Sequence, residues 1–90
     1  MKFMVTFELD AETRMAAIEE FLSSGAPAPE GVKMLGRWHS VNMNIGYTLC
    51  EADDLAKLGR WTHEWANMLH FDIQPVMDDE EAGAMFKSAM

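Results

Sequence analysis

Phe3, Val5, Phe7 and Leu9 alternate with Met4, Thr6 and Glu8, and this period of two commits the first segment to a strand with one buried face. Asp10 is suited to end the strand and cap a helix. Over that helix Met15, Ile18, Phe21 and Leu22 recur at helical spacing, while Glu12, Arg14, Glu19 and Glu20 cover the other side. Gly25, Pro27, Pro29 and Gly31 then require a connecting loop. Val32 to His39 and Ile45 to Glu51 read as two strands of a β-hairpin, joined by the turn Ser40-Val41-Asn42-Met43-Asn44. Asp53 can cap a second helix whose apolar stripe is Leu58, Trp61, Trp65, Met68 and Leu69. Phe71 and Ile73 open a fourth strand, which Pro75 confines to a sheet edge or an early end.

Asp78-Asp79-Glu80-Glu81 places negative charge where a short third helix would start, and Ala82, Met85, Phe86 and Ala89 give it an apolar side that needs a cover. The order β-α-β-β-α-β plus a terminal helix is the split-βαβ, or ferredoxin-like, arrangement. It predicts an α+β fold with a four-stranded antiparallel sheet and two helices on one face. With no repeat, linker or low-complexity stretch, residues 1–90 read as one domain.

A chain of 90 residues buries only about 60 to 65% of its unfolded surface, so association is expected to supplement its stability. Seven basic side chains against 15 acidic ones leave a net charge of -8, concentrated in residues 46–90. That surface would repel nucleic acid or an anionic membrane. Cys50 is the sole cysteine, which rules out an internal disulfide and makes the cytoplasm the expected location. Glu8 and Asp10 interrupt any signal-peptide core, and no apolar run is long enough to span a bilayer, so the whole chain is read as mature protein.

The hairpin carries the chain's most chemical stretch, Gly36-Arg37-Trp38-His39. On a strand, Arg37 and His39 share one face and Trp38 belongs to the other. A hairpin register with Ser40 opposite Ile45 sets Trp38 against Tyr47, Gly36 against Leu49 and Arg37 against Thr48. The expected core face then joins Phe3, Val5, Phe7 and Leu9 to Trp38, Ile45, Tyr47, Leu49, Phe71 and Ile73. The expected open face holds Thr6, Glu8, Arg37, His39, Thr48, Cys50, Asp72 and Gln74, and a one-residue change of register would reassign strands. A second face of this kind is often merely solvated. Here, though, Glu8 can fix a tautomer of His39, Arg37 can fork to a carboxylate, and Gly46 leaves room opposite His39.

Other chemistry finds little support. Cys50 reads as a small buried hydrophobe, and Trp61 with Trp65 as core packing. His63-Glu64 begins like a zinc-helix motif, but Asn67 stands where its second histidine would be, so no metal site is assigned. Gly-rich phosphate loops, nucleophile elbows and dinucleotide fingerprints are missing, and no cofactor is expected.

Met1 to Phe7, Gly31 through His39, Glu51-Ala52-Asp53-Asp54, Trp61 to Trp65 and Pro75-Val76 resemble a small bacterial family known as domain of unknown function 3303. The resemblance implies a dimeric α+β barrel, whose broader relatives include cofactor-independent monooxygenases, isomerases and ligand-binding regulatory modules. It also implies that Glu51 completes a pocket rim. The leading expectation is a homodimer that binds a small organic or anionic molecule on the sheet face opposite the helices. Arg37, His39, Glu8, Thr48 and Glu51 would contact the molecule, with Trp38 in support. One alternative is an enzyme in which His39 is the acid or base and Arg37 steadies negative charge. Another is an interaction module that grips its partner with the Met85-Phe86 stripe.

Overall fold

The computed structural model describes residues 1–90. Its elements follow the order β1 (Lys2–Leu9), α1 (Arg14–Ser24), β2 (Val32–His39), β3 (Ile45–Ala52), α2 (Leu55–Trp65), β4 (Leu69–Val76) and α3 (Asp79–Ala89). The strands form one antiparallel sheet in the order β2-β3-β1-β4, consistent with the α+β ferredoxin-like arrangement. Pro75 lies inside β4, which is tolerated because β4 is an edge strand.

The caps differ in detail from the sequence expectation. Asp10 makes a turn, its side chain accepting from the Glu12 N–H at 3.1 Å, and α1 begins only at Arg14. Asp54 rather than Asp53 caps α2, accepting from the Ala56 N–H at 2.9 Å. Asp53 instead lies 3.6 Å from the chain's amino terminus. Leu69 belongs to β4, not to the α2 stripe. On α1, Met15 and Leu22 are exposed, while Ala17 is the residue that becomes buried. Arg14 turns back to donate to the Met43 carbonyl at 2.9 Å and ties α1 to the hairpin turn.

The core gathers Phe3 and Val5 of β1, Cys50 and Ala52 of β3, and Leu58 and Trp61 of α2. Pairing of β1 with β3 sets Phe3 against Cys50, Val5 against Thr48 and Phe7 against Gly46. The helix-covered side of β3 is therefore Gly46, Thr48, Cys50 and Ala52, all buried. The hairpin register is the expected one, with Trp38 opposite Tyr47 and Arg37 opposite Thr48. Its orientation is the reverse of the expected one. Trp38 and Tyr47 lie on the open face, 56% and 39% exposed, and Arg37, His39, Thr48 and Cys50 lie beneath the helices.

Two physical causes account for the reversal. Large aromatic rings from β1, β4 and α2 already crowd the interlayer, which leaves room only for small side chains on central strand β3. In addition, the register of β2 shifts between Met34 and Gly36. This bulge changes which alternate residues face inward, so that buried Val32 and Arg37 share a side of the strand.

Candidate functional site

A half-open cavity of about 190 Å³ lies between the sheet and the two helices. Val5, Phe7 and Leu9 of β1 and Leu69 and Phe71 of β4 form its floor. Ala17, Ile18 and Phe21 of α1 and Trp61 and Trp65 of α2 form its walls. Fourteen of its eighteen lining residues are hydrophobic, and the other four are Arg37, His39, Thr48 and Thr62. An acidic chain thus encloses a space with no acidic lining.

The bulged end of β2 positions the polar side. Arg37 donates to the carbonyls of Ala26 at 2.8 Å and Gly25 at 3.0 Å, just past the end of α1. Those carbonyls are presented by two successive residues with positive φ, Gly25 at 74° and Ala26 at 43°. Glycine accepts that conformation freely, whereas Ala26 is strained in it and the Arg37 hydrogen bond helps to hold it. The guanidinium carbon also sits 5.0 Å from the centroid of the Phe21 ring, a cation-π contact. Desolvation lowers the Arg37 pKa, yet a guanidinium remains a cation in a protein. The ion pairs of the chain involve the amino terminus, Lys2 and His70, so Arg37 has no carboxylate partner.

His39 packs on two rings, edge-on to Phe7 at 5.9 Å and tilted against Phe21 at 5.4 Å. Its exposed imidazole lies where the cavity meets solvent. Thr48, only 3% exposed, brings a hydroxyl to the cavity from central strand β3. Thr62 donates its hydroxyl back to the Gly59 carbonyl at 3.0 Å. Phe7 occupies the space above Gly46, where a β-carbon would collide with the ring. Gly46 therefore accommodates an aromatic wall of the cavity rather than a ligand beside His39.

The sequence-expected site divides in two. Arg37, His39 and Thr48 come together, but under the helices and not on the opposite sheet face. Glu8 and Trp38 project from the open side, so Glu8 cannot orient His39. Trp38 lies against Gly36, where a β-carbon would meet its indole. Glu51 sits at the far end of β3, 3.8 Å from the Lys2 ammonium, in a separate, more open depression beside Met1 and Asp53. Trp61, Trp65, Phe21 and Phe7 are the cavity residues that sequence reasoning assigned to plain core packing. The spacing of Trp61 and Trp65, four apart on one helix face, was their visible signal.

Cys50 is fully buried, and burial raises its thiol pKa, which keeps it protonated and unreactive. No group of three or more His, Cys, Asp or Glu side chains could hold a metal ion. No helix is long and apolar enough to cross a membrane.

The family profile described as "Domain of unknown function (DUF3303)" matches residues 1–90. No curated protein and no solved structure matches the chain significantly.

Proposed function

The chain belongs to the DUF3303 domain family, and because that membership carries no assigned reaction, we propose from geometry that it binds a small organic molecule in the cavity between sheet and helices. The carrying observation is a space of about 190 Å³ walled by aromatic rings, with Arg37, His39 and Thr48 converging on one side. Binding sites commonly pair apolar walls with a few such polar groups. An engineered apolar cavity of about 150 Å³ admits benzene, so this one has room for a single ring and a small substituent. Trp61 and Trp65 line the cavity and report on its occupancy. Titrating one-ring aromatic molecules is expected to change tryptophan emission saturably, and Ala17→Leu, which fills the cavity from α1, is expected to abolish the response. A response that survives in a correctly folded Ala17→Leu protein would place binding elsewhere.

Association of two chains through the open sheet face is part of the same proposal. Trp38 and Tyr47 are exposed there, and no residue of α3 is buried, with Phe86 59% exposed. Sedimentation is expected to give a dimer for the full chain and a monomer for a chain ending at residue 77. Monomeric full-length protein would remove this part.

A catalytic reading is favoured by one observation, that His39 and Arg37 line the same cavity. In it His39 removes a proton and Arg37 stabilises the negative charge that develops. It predicts that His39→Ala loses turnover by about a hundredfold or more, and undiminished turnover would eliminate it.

A further inference from the structure

We infer that the molecule held in this cavity is a small aromatic monoanion of the arylcarboxylate class, its ring against the aromatic walls and its carboxylate between Arg37 and His39. This rests on the proposal that the cavity binds a small molecule. Both the charge and the shape of the cavity lead to it.

Arg37 is a half-buried cation with no carboxylate partner, hydrogen-bonded to the neutral carbonyls of Gly25 and Ala26 and set over the Phe21 ring. Two of its N–H groups are committed to those carbonyls, and a guanidinium has further donors to offer. The cavity lining contains no Asp or Glu, although the chain as a whole carries a charge of -8. Bulk electrostatics therefore oppose anions, and any preference for one has to arise locally at Arg37. Removal of that cation from water without an opposite charge is unfavourable, and a bound carboxylate would supply the missing partner.

The shape restricts the rest of the molecule. Phe7, Phe21, Phe71, Trp61 and Trp65 bound the space, favouring edge and offset contacts with a flat ring over a flexible chain. Phe21 touches both Arg37 and His39, so a ring seated against it lies within reach of both polar groups. The enclosed part has room for one ring with a small substituent.

Benzoate and benzyl alcohol test the inference, since they share a ring and nearly a size but differ in charge. Calorimetric titration of the full chain near neutral pH is expected to show benzoate binding at least about tenfold more tightly, the margin of one charge-assisted hydrogen bond. Arg37→Gln is expected to erase that margin. Equal or tighter binding of benzyl alcohol by the unaltered protein would overturn the anion assignment while leaving the cavity reading intact. Binding of neither would overturn both. A margin that persists in folded Arg37→Gln protein would remove Arg37 as its source. The comparison on the unaltered chain stands whether or not that variant folds.

Discussion

At the scale of single residues, one side chain takes two roles. Arg37 fastens the loop after α1 through two backbone carbonyls and stacks on Phe21, and its permanently charged guanidinium also lines the cavity. The loop geometry and the proposed binding chemistry consequently depend on each other. Gly46 is coupled to the same space from below, because the ring of Phe7 fills the position its side chain would occupy. Phe7 is in turn packed against Phe71 at 6.5 Å and His39 at 5.9 Å, which limits its freedom to move aside. Gly46→Ala is expected to destabilise the fold by about 1–3 kcal/mol through overpacking, measured by urea unfolding. An unchanged midpoint would show that Phe7 yields without cost.

At the scale of elements, α3 stands apart from the rest. Its N-terminus is well formed: Asp78 accepts from the Glu81 N–H at 2.8 Å, and the Glu81 carboxylate accepts from the Asp78 N–H at 3.4 Å. Lys2 reaches this end from β1, 3.5 Å from Asp78 and 3.7 Å from Glu81. Beyond this anchor nothing on the chain buries the helix. Its local order should therefore follow the state of the cap. The Glu81 N–H, followed by the Lys2 charge, lowers the Asp78 pKa in the folded chain. A depressed carboxylate stabilises the folded form above its unfolded value near 4 and ceases to do so as pH falls through the folded value. Amide exchange in residues 79–89, corrected for intrinsic rates, is expected to be constant from neutrality down to about pH 4 and to accelerate below it. Core amides of β1 and β3 should not follow. Asp78→Ala should bring the faster exchange to neutral pH, and protection unaltered by both changes would refute the cap's role.

At the scale of the whole molecule, the elements and their order were legible because each rests on local periodicity. Strand alternation in Phe3 to Leu9 and the turn at Ser40 to Asn44 translated directly into β1 and the β2-β3 hairpin. The orientation of that hairpin was not legible. Trp38, Tyr47 and Leu49 are the larger apolar set within the hairpin, and judged alone they belong inside. What decides the matter is nonlocal: pairing with β1 puts Thr48 beside Val5, and the aromatic rings from other elements leave space there only for small side chains. The bulge before Gly36 has no composition signal beyond the glycine itself. The triad of Arg37, His39 and Thr48 was thus recognised as a group and located on the wrong side of the sheet.

That location is the centre of the account, and amide and side-chain NMR mapping during a benzoate titration tests it most directly. The predicted result is saturable shifts concentrated at Phe21, Arg37, Thr48 and Trp61, with Trp38 and Tyr47 unmoved. Shifts confined to Trp38, Tyr47 and Glu8 on the open face would contradict it.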